Sequence, residues 1–193
     1  MMGGGYFSNA GVFLVQSLFG LYILAVMLRL LLQMVRASFY NPLSQFLVKV
    51  TNPVLVPLRR IIPGVAGFDV ASLVLLFALQ LLQLVLIALM LDQNLNIAGL
   101  ALLAIAKLIG LLINVFFFSI LIQIILSWVR PGDYSPVSAL IHNLNEPLLG
   151  PARRLLPPMG GFDLSPILVI IGLQLLSILL VAPLTDMALR LMS

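Results

Sequence analysis

Residues Asn52 to Asp69 read Asn-Pro-Val-Leu-Val-Pro-Leu-Arg-Arg-Ile-Ile-Pro-Gly-Val-Ala-Gly-Phe-Asp, and the chain spells the stretch a second time. Glu146 to Asp163 read Glu-Pro-Leu-Leu-Gly-Pro-Ala-Arg-Arg-Leu-Leu-Pro-Pro-Met-Gly-Gly-Phe-Asp. Pro53, Pro57, Arg59, Arg60, Pro63, Gly67, Phe68 and Asp69 fall on Pro147, Pro151, Arg153, Arg154, Pro157, Gly161, Phe162 and Asp163 at one constant offset. Chance does not produce that. Outside the stretch the same offset sets Arg36 on Arg130, Tyr40 on Tyr134, Pro42 on Pro136, and Leu79-Gln80-Leu81-Leu82 on Leu173-Gln174-Leu175-Leu176. The chain is a tandem duplication, divided here as 1–97 and 98–193.

Composition names the solvent. Hydrophobic residues make up 62% and charged residues 8%, whereas a soluble globule carries about 25% charge; with a mean hydropathy of +1.21, the chain belongs in lipid. Ten Lys and Arg against six acids give a formal charge of +4. Because no basic run exceeds a pair, the excess reads as membrane-flanking charge and not as a nucleic-acid surface. The absence of cysteine removes disulfides and thiolate metal sites. Met1 to Asn9 lacks a basic n-region, so the apolar stretch that follows is expected to stay attached as a span.

Gly11 to Val35 is long enough to cross a hydrocarbon core, which takes about 20 helical residues. Asn41-Pro42 then reads as an N-cap and first-turn proline. Leu43, Phe46, Leu47 and Val50 mark the apolar face of a short helix, with Ser44, Gln45 and Lys49 opposite. In repeat two Ser135-Pro136 starts the equivalent, with Val137, Leu140, Ile141 and Leu144 apolar and Ser138, His142 and Asn143 polar. Both read as helices lying in the membrane interface. The Pro/Arg motif after each reads as a rigid hairpin loop.

Val70 to Leu91 forms the second span, and Asp92 to Asn96 a polar turn. The run from Ile97 to Val129 exceeds one upright span; the offset assigns Ile105 to Val129 to the membrane, placing Lys107 near its surface, and leaves Ile97 to Ala104 as an extension or link. The fourth span covers Leu164 to about Ala182, where Pro183 is expected to weaken or end it. Four spans place both termini on one side. The motif loops on the other hold Arg36, Lys49, Arg59, Arg60, Arg130, Arg153 and Arg154, so the positive-inside rule makes that side cytoplasmic. Each repeat has two spans, so the copies share one orientation about an axis along the membrane normal. The expected fold class is an all-α membrane protein of four transmembrane helices in two parallel repeats.

Each copy, with its Pro-x-x-x-Pro-x-Arg-Arg-x-x-Pro core, Gly-Phe-Asp and Leu-Gln-Leu-Leu, resembles the YggT family over modules from Gly11 to Leu91 and Ile105 to Ala182. The resemblance implies a small protein of the bacterial cytoplasmic (inner) membrane, here with periplasmic termini. Related proteins occur in chloroplasts, and many bacterial members have a single module. The family is connected with cell division and nucleoid organisation, with cytochrome b6 maturation in plastids and with osmotic stress tolerance. Glu146 for Asn52, Pro158 for Gly64 and Gly160 for Ala66 are among the departures between the copies.

Among candidate sites, Arg59, Arg60, Arg153 and Arg154 suit an anionic lipid or an acidic partner, since guanidinium groups grip phosphates and carboxylates in pairs; the plainer alternative is topogenic charge resting on phosphates. Asp69 and Asp163 read as caps of the following spans or as partners of their own loop arginines, against a proton or cation site. Gln80 and Gln174 lie near the midplane, where amides join helices, and symmetry suggests that they pair with each other. Arg29 is expected to snorkel outward. His142, the sole histidine, reads as a polar-face residue. No catalytic, cofactor-binding or metal-ligating set is present in the sequence. The expected partners are membrane lipids and a membrane protein, with homo-oligomerisation left open.

Two function classes follow. One is a non-enzymatic scaffold or assembly factor for envelope, cell-division or cytochrome-biogenesis machinery, working through the Pro/Arg hairpins. The other is a small channel or transporter in ion homeostasis and osmotic tolerance, with a pore between the repeats. The repeated signal lies outside the spans, which favours the scaffold; ion flux in liposomes separates the two.

Overall fold

The computed structural model describes residues 4–38, 40–64, 69–93, 95–129, 135–155 and 163–192. All regular structure among them is helical: α1 (Gly4–Met34), α2 (Pro42–Ile61), α3 (Val70–Met90), α4 (Ile97–Val129), α5 (Pro136–Leu155), α6 (Ser165–Leu176) and α7 (Ala182–Met192). A π-helical turn, Ser177–Val181, joins α6 to α7. Four helical runs are long and apolar enough to cross a membrane: Gly5–Met34, Val70–Met90, Ile97–Val129 and Ser165–Met192. The duplicated order of span, shorter helix and span is therefore present in both halves.

Two sequence expectations are corrected. The Pro/Arg motif is not a loop up to its arginines: α2 continues through Pro53 and Pro57 to Ile61, and α5 through Pro147 and Pro151 to Leu155. A helical proline lacks one N–H and frees the carbonyl four residues back. Here the prolines lie four apart, on one side of each helix, and all four are exposed, so the freed carbonyls open outward instead of into the core. Only the segment beyond each helix turns the chain; Gly67, Phe68, Pro157, Gly161 and Phe162, with Arg130 and Tyr134, lie outside the described residues. Nor does Pro183 end the fourth span. The preceding π turn, in which the Ala182 N–H bonds the Ser177 carbonyl, absorbs the proline, and the helix runs on to Met192.

The segment Ile97 to Ala104 is a helical extension of α4. Asn96 caps it, accepting from the Gly99 N–H at 3.1 Å, and also donates to the Leu191 carbonyl at the end of α7. Gly99 sits against Met192 and Ala188; a Cβ there would come within 2.5 Å of the Met192 Cγ. That glycine lets α4 and α7 touch. The chain reverses after α1 and α3 through Arg36 and Asp92, each at φ 51°, with Ala37 N–H to Leu32 O and Gln93 N–H to Ala88 O both at 2.9 Å. These are left-handed C-terminal caps.

Helices α1 and α3 pack on each other, α3 on α4, and α4 on α7. The main core joins Ile23, Val26 and Leu30 of α1 to Leu75 and Leu76 of α3, with Leu55 from α2, Val115 from α4 and Leu144 from α5. Both shorter helices thus contribute to one apolar cluster with the spans. Their N-termini also meet, where Asn41 Nδ2 donates to the Pro136 carbonyl at 2.5 Å.

Candidate functional site: a duplicated arginine staple

In each repeat the first arginine of the pair reaches across the turn to the aspartate ahead of the next span. Arg59 Nη2 is ion-paired with Asp69 and also bonds Gln33 Oε1 at 3.0 Å. Asp69 is buried and caps α3, accepting from the Ser72 N–H at 3.2 Å and from the Ser72 hydroxyl. In repeat two, Arg153 Nε bonds Asp163 Oδ2 at 3.0 Å and Asp163 accepts from the Ser165 N–H at 2.9 Å. Glu146, which replaces Asn52, adds a third arm at 2.8 Å from Arg153 Nη1. Each ion pair joins the end of the shorter helix to the start of a span, fixing the angle between them. Burial pushes the Asp69 carboxyl up, but the Arg59 and Ser72 hydrogen bonds outweigh it and hold the group below the ordinary carboxylate value. Asp163 is likewise held low, by Ser165 and Arg153 against burial.

The second arginine of each pair does something else. Arg60 and Arg154 are exposed, and neither makes a hydrogen bond or ion pair with a described residue. Four residues that look alike in sequence therefore divide into two internal staples and two outward cations.

A second polar junction, unrecognised in the sequence, ties each shorter helix to the span before it. Arg29 is 8% exposed; it does not snorkel outward, because Nη1 donates to Thr51 Oγ1 at 2.5 Å and Thr51 passes its own proton to the Leu47 carbonyl at 2.6 Å. At the corresponding positions Asn145 Nδ2 donates to Gln123 Oε1 at 2.7 Å, and Ser119 Oγ to Asn145 Oδ1 at 2.5 Å. The signal was available: at one offset, Arg29 with Thr51 changes jointly to Gln123 with Asn145.

The glutamines do not pair across the repeats. Gln80 is buried and donates from Nε2 to Gln83 Oε1 at 2.7 Å; Gln83 Nε2 continues to the Gln16 carbonyl of α1 at 3.3 Å. Gln174 is exposed on α6. The physical reason is that α3 packs on α1 and α4, while α6 turns the Gln174 face away from the bundle. His142 is exposed on α5, 3.5 Å from Gln123 Nε2 and 3.6 Å from Glu146.

The exposed side of α2 also differs from a simple two-faced reading. Ser44, Leu47, Thr51 and Leu55 are buried against the bundle, whereas Leu43, Phe46, Val50 and Val54 form an outward apolar stripe. In α5 the expected apolar residues Leu140 and Leu144 are instead packed inside.

Duplicated spans, stapled helices and outward arginines define a tandem-repeat multi-pass membrane protein. The particular family follows from the sequence profile that matches both halves: the chain belongs to the CCB3/YggT family, over residues 8–90 and 102–184. It is 47% identical over 182 residues to uncharacterized protein PA0392 of Pseudomonas aeruginosa, covering 93% of this chain and 92% of that one. An uncharacterized protein in the proC 3' region of Vibrio alginolyticus is 43% identical over 177 residues (89% and 94%). The uncharacterized protein YggT of Escherichia coli K12 is 40% identical over 171 residues, 88% of each chain. No solved structure matches the chain.

Proposed function

We propose that this protein is a non-enzymatic scaffold or assembly factor of the bacterial inner membrane, with periplasmic termini, and that α2 and α5 present Arg60 and Arg154 to an acidic group on a neighbouring membrane protein. The division of labour within each Arg-Arg pair supports this reading. An arginine that merely marks the cytoplasmic side needs no particular direction. Here the first arginine locks the helix end against Asp69 or Asp163, and the second projects from that locked end. Pre-ordering lowers the entropy cost of capture. On α2 the stripe of Leu43, Phe46, Val50 and Val54 would rest on acyl chains, holding Arg60 at headgroup level.

The experiment compares two double variants of the full chain by co-purification from its native membrane. Arg60→Gln with Arg154→Gln should lose the partner while keeping wild-type thermal stability. Arg59→Gln with Arg153→Gln should lose both. Undiminished partner recovery with Arg60 and Arg154 replaced defeats the proposal.

A further inference from the structure

The two repeats do not close on each other along their full length. Between them lies a cleft of about 420 Å³ whose lining comes from α1, α3, α4 and the fourth span. It shares Leu103 and Lys107 with an adjacent hollow of about 600 Å³ that is lined also by Asp92 and Gln93, at the end where the α3–α4 connection meets the end of α7. The two hollows thus lie in series between one end of the bundle and its middle.

Its polar groups are unusual for that depth. Lys107, Gly110 and Asn114 line it from α4 at i, i+3 and i+7, opposite Gln80 and Gln83 of α3 and Thr185 of α7. Lys107 and Asn114 make no hydrogen bond or ion pair with a described residue. Gln80 gives Gln83 one amide hydrogen; its other amide hydrogen and its Oε1 have no described partner. In a bilayer each unsatisfied group of this kind is costly. The inner hollow is lined by one cation, three side-chain amides and a hydroxyl, with no acid among its described lining residues, and its Lys107 and Asn114 side chains are exposed.

We infer that this cleft is a binding site for the phosphate-bearing headgroup of an anionic phospholipid, drawn in from the surface with its phosphate at Lys107 and the amides of Gln80 and Asn114 facing it as hydrogen-bonding groups. The vertical order fits. Lys107 lines both hollows and so stands toward the mouth, whereas Asn114, seven residues or about 10 Å further along the helix, lines only the inner one. The remaining lining, such as Leu103 and Val181, is apolar and suits acyl chains. Asp92 at the mouth disfavours entry of a free anion from water, which points to lateral entry from the lipid. Gly20 leaves the cleft open: a Cβ at that position meets nothing within 4 Å. The site is separate from Arg60 and Arg154, so it does not rest on the scaffold reading.

Native mass spectrometry of the detergent-solubilised full chain tests it, with phosphatidylglycerol, phosphatidylcholine or inorganic phosphate added. One phosphatidylglycerol should bind about ten-fold more tightly than phosphatidylcholine, whose choline cation offsets the phosphate charge and repels Lys107. Lys107→Gln and the cleft-filling Gly20→Leu should each remove that preference, Lys107→Arg should retain it, and Arg60→Gln with Arg154→Gln should leave it unchanged. Retention by Lys107→Arg shows that the loss is not misfolding. Equal binding of the two lipids, or an unchanged preference in both Lys107→Gln and Gly20→Leu, overturns the inference. Competition by millimolar inorganic phosphate as effective as by lipid would assign the site to a free anion and overturn the lipid assignment.

Discussion

Arg29 and Thr51 meet at 2.5 Å inside the first repeat, and Gln123 and Asn145 meet at 2.7 Å in the same place in the second. One junction uses a cation and a hydroxyl, the other two amides, yet both pin a shorter helix to the span before it. A buried hydrogen bond to a charged group contributes about 1.5–3 kcal/mol. Arg29→Gln should destabilise the detergent-solubilised protein by an amount in that range. Adding Thr51→Asn and Ala25→Ser, which rebuilds the Ser119, Gln123 and Asn145 trio at the first site, should recover most of the loss. No recovery in thermal unfolding would show that the two junctions are not interchangeable.

The two staples should differ in strength. Asp69 has a side chain 5% exposed, against 36% for Asp163. Exposed pairs contribute about 0–1 kcal/mol, so Asp69→Asn should cost clearly more than Asp163→Asn. Both carboxyls are held below their ordinary value in the folded chain. Their contribution is therefore complete above the unfolded carboxylate pKa of about 3.9 and falls away as pH drops through the lower folded values. Thermal melts between neutral pH and about pH 3 should show an acid-dependent loss that Asp69→Asn reduces.

Much of this architecture is legible in the sequence because both repeats write it. The span order follows from hydropathy, and the Asp69 and Asp163 pairings from their place just ahead of an apolar run. The helical course of Asn52 to Ile61 was not legible, because proline is read as a helix breaker unless its exposed face is known. Pro183 misleads for the same reason, since nothing in Ser177 to Val181 announces a π turn. Gln80 and Gln174 look equivalent, but packing assigns one to the interior and the other to the outer surface. Within Arg59-Arg60 and Arg153-Arg154, only helical phase decides which arginine turns inward.

The glutamine chain gives a further test. Because Gln16, Gln80 and Gln83 all belong to the first repeat, Gln80→Leu and Gln83→Leu should each lower the thermal stability of the detergent-solubilised full chain by about 0.6–2 kcal/mol, and the double variant should cost little more than either. Gln174→Leu should add independently or not at all. Coupling between Gln80 and Gln174 would contradict the packing described.

Orientation is checked with reporters. A periplasmically active enzyme fused after Ser193 should work, and one inserted near Ala37 should not. Replacing Arg59, Arg60, Arg153 and Arg154 together by Gln should leave this pattern intact, because Arg36, Lys49 and Arg130 still mark the same side. Inversion of the quadruple variant would make those arginines topogenic and remove the case for a partner.

The central claim, that Arg60 and Arg154 hold a protein partner, is tested most directly by photocrosslinking from the next residue of each helix. Ile61 is 78% exposed and Leu155 74%, and a crosslinking side chain at either position leaves both arginines in place. In intact cells each should give a discrete protein adduct that disappears when the adjacent Arg60 or Arg154 is changed to Gln, with Arg59 and Arg153 kept. Adducts with lipid alone, or protein adducts that survive the loss of Arg60 and Arg154, would contradict the account.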